Sequence, residues 1–372
     1  MFLAAKEMHR GKVKFALLLV AVSLLVFLIL VQQALSRALV TSFIGAIENQ
    51  SAPVLVYATD ALRAPQGSVI TPPMEELVTA SPEVAEAGRI GILSVTFPTS
   101  ALAEGEELSA VVWGYEEEAL GAPADLSAGA YPAAAGEAVG TAGDFELGET
   151  LAFEGPGGDT VTFDVVGLAE DSQLAVQPTL FVDYADFEDA ALAANPTAMA
   201  VLPSLMAVAP ATTEAALISD LRAASVDLDP LTRADAASEF PGAGQVEQSF
   251  LIILGLYGFV VPLVTGLFFL IITFQKTRAL TLLRAVGARS GVLVRALLWQ
   301  VAFILGGGIA VGVGLYALTS LVEIGQLTIV FDWGMVAFWT ALLGVLGVLS
   351  ALASIRRVLA IDPVEATTGG GH

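Results

Sequence analysis

Side chains able to do covalent or metal chemistry are scarce in this sequence. Its 372 residues include no cysteine and only two histidines, His9 and His372. Thiolate metal sites, disulfides and cysteine nucleophiles are excluded, and almost nothing remains for a zinc centre or a Ser-His-Asp triad. Carboxylates are abundant instead, in clusters such as Glu104/Glu106/Glu107, Glu116/Glu117/Glu118 and Asp186/Glu188/Asp189, with Asp183 close to the last. No segment has the D-x-D-x-D-G-x5-E spacing of an EF-hand loop. Asp186 and Glu188 fall on or near the exposed face of a helix expected at Tyr184–Ala194, with no nucleophile or metal ligand close by to make them an acid–base pair. The clusters read as solvated acidic surface, and no enzymatic activity is expected of the chain.

The elements that carry these charges are set by their partition. The chain is 55% hydrophobic yet carries a formal charge of −22. Residues 37–249 hold 33 of the 38 acidic residues and five basic ones (Arg37, Arg63, Arg89, Arg222 and Arg233), a net of −28 with no lysine. The other basic residues form three short groups: Lys6/Arg10/Lys12/Lys14, Lys276 to Arg295, and Arg356/Arg357. Nucleic acid is disfavoured as a partner, because the one sizeable domain would repel phosphate.

Four apolar runs are long enough to cross about 30 Å of hydrocarbon, which takes roughly 20 helical residues. They are assigned as spans over residues 13–35, 250–274, 296–322 and 333–355. The first is too long in its apolar core for a cleaved signal peptide and lacks a small-residue cleavage site, so it reads as an uncleaved anchor. With alternating spans every basic group lies on one side, and both termini are placed inside. Residues 1–12 are then an inner N-terminal segment, 36–249 an outer domain, 275–295 a short inner connection, 323–332 a short outer loop and 356–372 an inner tail. Gly308 and Gly312 form a G-x-x-x-G pair inside the third run, which suits helix packing within the chain or a dimer seam, the former being favoured. These glycines lie inside a span, so they are no dinucleotide fingerprint. Pro262 should kink the second span.

The outer domain reads as mixed α/β. Strands are expected at Pro53–Ala58, Val84–Phe97, Leu108–Tyr115, Thr179–Val182 and Leu205–Ala209, and a hairpin at Thr150–Phe153 and Thr160–Leu168 around Gly155-Pro156-Gly157-Gly158. Helices are expected at Pro72–Ala80, Tyr184–Ala194 and Thr212–Ala224, the last capped by Thr212 or Thr213. The late alternation of helix and strand favours two small lobes. Helical stalks are expected at Gln32–Glu48 and Ala236–Gln248, leading from the first span and into the second.

The inner connection Gln275–Ser290 repeats Leu280, Leu283 and Val286 at three-residue spacing, which predicts a short basic amphipathic helix along the inner face, ended by Gly287. Such a helix would touch anionic lipid or dock a partner. Here the sequence resembles a known family, the FtsX/MacB-type permeases of ABC transporters. Their segment after the second span resembles R-x-x-E-I-G-x-L-R-A-I-G-A; this chain has Arg278-Ala-Leu-Thr-Leu-Leu-Arg-Ala-Val-Gly-Ala288. Phe2–Phe15 resembles the family's amphipathic N-terminal helix and Arg357–Ala366 its tail after the last span. Weaker echoes are Gly136–Val139, Ala142–Thr150 and Val165–Leu168. The family's glutamate is missing at Leu280–Leu282.

The resemblance implies an α-helical membrane protein with four transmembrane helices and a mixed α/β extracytoplasmic domain inserted between helices 1 and 2. It implies a bacterial cell membrane and coupling to a separate cytosolic ATPase, two copies against a permease homodimer, through Thr277, Arg278, Leu283, Arg284, Ala285, Val286, Gly287 and Ala288. ATP and Mg would be bound by that partner, since this chain has no G-x-x-x-x-G-K-[ST]. The implied mechanism is mechanotransmission in export or extraction of a hydrophobic compound, peptide or lipid. A DevC- or haem-exporter-like subtype would make haem the substrate, and a regulator of an extracellular wall hydrolase is the non-transporting alternative.

The topology is open to a direct check, because the chain has no cysteine of its own. A Ser127→Cys variant is expected to react with a membrane-impermeant maleimide in intact cells, and Thr281→Cys only after permeabilisation; the reverse pattern would refute the assignment.

Overall fold

The computed structural model describes residues 12–98, 107–285, 290–319 and 333–359. The chain divides into two compact units, Arg37–Gln248 and the remainder, Met1–Ser36 with Ser249–His372.

In the unit Arg37–Gln248 the strands are β1 (Val54–Ala58), β2 (Val84–Pro98), β3 (Glu107–Tyr115), β4 (Ala128–Gly129), β5 (Glu137–Thr141), β6 (Thr150–Glu154), β7 (Thr160–Ala169), β8 (Thr179–Asp183), β9 (Leu205–Pro210) and β10 (Leu228–Thr232). Among the described residues they form one sheet in the order β10-β1-β9-β2-β3-β8-β5-β7-β4, with β6 on β7. Most neighbours are antiparallel; β3/β8 and β5/β7 run parallel.

The middle strands are apolar on both faces, as strands covered on both sides must be. On β1 every residue is buried. Val54, Val56 and Ala58 join a core with Ile70, Val78, Leu217 and Leu221, beneath α2 (Pro72–Thr79) and α4 (Glu214–Ala224). Further along the same face, Val112, Leu180 and Val182 pack with Tyr184, Phe187 and Ala190 of α3 (Tyr184–Ala194) and with Phe97, Phe153 and Phe163. Leu55 and Tyr57 point the other way, into a core that also takes Ala207, Trp113 and Phe181.

That second face explains why two lobes do not form. Its single core runs from β1 across to β8 and β5, and it is capped by Ile44, Ala46 and Ile47 of α1 (Lys12–Glu48), by Ala236 and Ala237 of α5 (Arg233–Ser238), and by Phe240 and Ala243. Two helix-covered cores on one face are therefore bridged by one core on the other. The second stalk also differs from its expectation. Helix α5 stops at Ser238, and α6 (Ala243–Ala285) begins after Phe240-Pro241-Gly242. Proline disfavours helical conformation in the residue before it, and Gly242 takes φ +95°.

In the other unit, α6, α7 (Ser290–Thr319) and α8 (Trp333–Leu359) accompany the first part of α1. Among the described residues, three helical stretches are long and apolar enough to cross a membrane: Phe15–Glu48, Ala243–Val260 and Trp299–Thr319; the apolar part of α8, Trp333–Leu346, is shorter. Helix α6 continues through Pro262. Leu18, Val22, Val26 and Ile29 of α1 bury themselves against Val301, Ile304, Leu305 and Tyr316 of α7 and Val336 and Leu343 of α8. The pair Gly308/Gly312 faces α1: a Cβ at Gly308 would come within 2.5 Å of Val22 Cγ1, and one at Gly312 within 2.8 Å of both the Ser23 carbonyl oxygen and Val26 Cβ. Close backbone approach of this kind drives helix association where lipid removes the hydrophobic incentive.

Gly312→Leu is expected to overpack this seam and cost about 1–3 kcal/mol. Gly314→Leu, at a position where a Cβ meets nothing within 4 Å, should be close to neutral. Thermal unfolding of the two variants in detergent distinguishes them; equal midpoints would mean that the α1–α7 seam carries no load.

Candidate functional site

Two places are singled out. The first is the segment to which the family resemblance assigns coupling. Thr277, Arg278, Leu283, Arg284 and Ala285 lie on the last turns of α6, while Val286, Gly287 and Ala288 lie outside the described residues. Up to Ala285 the described part of the segment is helical but is not a separate helix. It is the end of a 43-residue helix, because no glycine or proline interrupts Phe274–Ala285. At 1.5 Å per residue that helix is about 64 Å long, twice what hydrocarbon requires.

The second place is the junction inside the unit Arg37–Gln248 where α1 ends and α5 begins. Strands β1 and β10, which adjoin these helices, pair antiparallel along their whole length, from Val54↔Thr232 to Ala58↔Leu228. Arg233 closes the corner: its backbone N–H donates to the Pro53 carbonyl at 2.9 Å and its guanidinium to the Gln50 carbonyl at 2.7 Å. Gln50 is fully buried and folds its amide back on Ala52. The rings of Phe43 and Phe240 meet edge-on at 6.5 Å.

A loop between β7 and β8 docks on the last turns of α1. Val176 N–H donates to the Ser42 carbonyl (2.8 Å), Ala175 N–H to the Phe43 carbonyl (3.0 Å), and Ala46 N–H to the Gln173 carbonyl (2.9 Å). The Asn49 side chain donates to the Asp171 carbonyl at 2.6 Å. Residue 45 must be glycine for this approach, since a Cβ there would overlap the Asp171 carbonyl oxygen. Gln173 also donates from its side chain to Asp144, and burial pushes the Asp144 carboxyl above its usual range, opposed by that same hydrogen bond. An open cavity of about 450 Å³ lies beside the junction, lined by Asn49, Ala124, Asp125, Leu126, Ser127, Glu170 and Asp171.

Of the acidic clusters, Glu104 and Glu106 lie outside the described residues. Glu116 accepts the Arg89 backbone N–H at 2.9 Å, and Asp183 caps α3 through Ala185 N–H at 2.8 Å. Asp186 departs from its expected place on the exposed face: it is 8% exposed and accepts the Gly136 N–H at 2.9 Å. The loop before β5 folds over this part of α3, which periodicity within the helix cannot foretell. Among the described residues no three acidic or histidine side chains converge as metal ligands would.

The coupling segment is an expectation from the family resemblance, and the docked loop was not expected from the sequence. Its one local signal was a glycine, Gly45, in a run otherwise suited to helix.

No family model and no curated protein matches the chain. Among solved structures it is similar to the periplasmic region of MacB from Actinobacillus actinomycetemcomitans, at 11% identity and a TM-score of 0.35, covering 50% of this chain and 91% of that one. It is also similar to the extracellular domain of the noncanonic ABC-type transporter YknZ from Gram-positive bacteria, at 12% identity and a TM-score of 0.30, covering 49% of this chain and 100% of that one.

The raised carboxyl at Asp144 has a definite sign in stability. The folded protein holds this proton more tightly than the unfolded chain, so its contribution falls as pH rises from the ordinary value of 3.8 through the raised one. Asp144→Asn removes that loss while keeping an acceptor for Gln173. The variant's thermal midpoint relative to wild type is expected to climb as pH rises above the ordinary carboxylate value; a flat or falling difference would contradict the buried, ionisation-penalised carboxyl.

Proposed function

We propose that the chain is the permease subunit of an ABC transporter that works by mechanotransmission, moving a hydrophobic compound, peptide or lipid with energy from a separate ATPase. The observation that carries this reading is the segment Arg278–Ala288, which resembles the family's coupling motif, in a chain that inserts a large acidic domain after its first apolar run. The reading takes four transmembrane helices, both termini in the cytosol and residues 36–249 outside a bacterial cell membrane. It also takes a second copy of the chain and two copies of the ATPase.

In this account closure of the ATPase subunits pushes the basic end of α6, with Thr277, Arg278, Leu283, Arg284, Ala285, Val286, Gly287 and Ala288 at the contact. Arg278, Arg284 and Arg289 suit an acidic groove, and charge complementarity sets the register of such a docking. The family's glutamate is replaced around Leu280–Leu282, so the contact here leans on arginine. The displacement passes along the helices to the outer domain, whose core includes the ends of α1 and α5. The chain itself does no chemistry in this scheme; ATP and Mg belong to the partner.

Purification of the tagged full-length chain from its native cells is expected to bring down a P-loop ATPase, and Arg284→Glu should abolish stimulation of that ATPase without affecting membrane insertion. Unchanged stimulation in the charge-reversed variant, or a purified chain with no ATPase at all, would overturn the reading.

A further inference from the structure

The docked loop holds a feature that its packing does not require. Leu174 and Gln177 close a two-residue turn by reciprocal backbone hydrogen bonds, Leu174 N–H to the Gln177 carbonyl at 3.0 Å and Gln177 N–H to the Leu174 carbonyl at 2.9 Å. Both residues between them are left-handed, Ala175 at φ 52° and Val176 at φ 63°, and Asp171 at φ 50° precedes them. A turn with two positive φ values normally takes Asn-Gly or Gly-Gly. Alanine has no side-chain hydrogen bond to compensate, and a β-branched residue in this region is a genuine outlier.

Nor does the Val176 side chain explain its own conformation, because it is 41% exposed. What the turn does gain is at its ends and its backbone. Leu174 is fully buried in the core under the sheet, Gln177 accepts from Ser94 on β2 at 3.1 Å, and β8 starts two residues on. The two strained residues are the ones whose N–H groups bond to Ser42 and Phe43 of α1. Strained backbone persists where its surroundings over-determine it, and it concentrates in clamps and switch regions.

We propose that residues 171–177 are a strained latch on the outer end of α1. With α1 seated against them, its carbonyls at Ser42 and Phe43 and its N–H at Ala46 hold the turn in the left-handed form. Withdrawal of α1 frees Ala175 and Val176 to relax, so the domain has a second, unlatched state that the strain itself favours. Gly45 lets the latch close, and Gln173, held by Asp144, sets its position. The latch ties α1 to β8, which lies between β3 and β5 in the sheet. It is a property of this domain alone and goes beyond the permease reading, which would give it a use: a pull on α1 would trip it.

The test is hydrogen exchange read by mass spectrometry on the full-length chain in detergent, with no partner present, so that its outcome is separate from that of the ATPase experiment. In the wild type, segments 42–49 and 171–177 are expected to open together. The double substitution Ala175→Asn/Val176→Gly supplies the pair that such a turn prefers and keeps every backbone hydrogen bond. It should slow exchange in both segments by about five- to thirtyfold, the range that one or two units of relieved strain would give. Gly45→Val should do the opposite and unprotect both segments; should that variant not fold, the double substitution still decides. Exchange that is unchanged or faster in the double variant, or slowed at 171–177 and not at 42–49, overturns the latch.

Discussion

The architecture of residues 37–248 depends on middle strands that are apolar on both faces. Burial at Val54, Leu55, Val56, Tyr57 and Ala58 alike means that neither side of β1 can face water, and each buried valine or leucine among them contributes about 1.5–3 kcal/mol. Helices α2, α3 and α4 cover one face. On the other, the protein uses the ends of the helices that connect this unit with the apolar remainder of the chain. Those helix ends are therefore part of the core of this unit.

The charge pattern fits the same arrangement. A domain of −28 with no lysine cannot lie against an anionic surface, whereas the short basic groups at Lys6–Lys14, Lys276–Arg295 and Arg356/Arg357 suit one. The seam between α1 and α7, closed by Gly308 and Gly312, gives the first helix a packed partner at the apolar end as well.

Much of this was legible in the sequence, for identifiable reasons. The hairpin of β6 and β7, the strands β1, β2, β3, β8 and β9, and the helices α2, α3 and α4 are written in local alternation, glycine-rich turns and capping residues such as Thr213, whose side chain accepts the Ala216 N–H. Strand β10 is not, because Leu228-Asp-Pro-Leu-Thr232 contains a proline; the residue is tolerated since β10 is an edge strand paired with β1 alone. The break at Phe240-Pro241-Gly242 inside the helix expected over Ala236–Gln248 does have a local signal, a proline followed by a glycine. The single sheet in place of two lobes, the buried Asp186 and the dock of residues 171–177 on α1 all depend on contacts between residues far apart in the chain. No window of sequence holds them.

The central claim is that the helix ends belong to the core of the outer domain, and thermal unfolding of two soluble fragments tests it most directly. Residues 37–248 keep Ile44, Ala46, Ile47, Ala236, Ala237, Phe240 and Ala243, all buried on the second face of the sheet; residues 51–232 lack them. Losing the two isoleucines and the phenylalanine alone removes roughly 5–9 kcal/mol of burial, comparable to the whole stability of a typical domain. The account predicts a cooperative transition for 37–248 and none for 51–232. A cooperative transition at the same temperature in both fragments would contradict it.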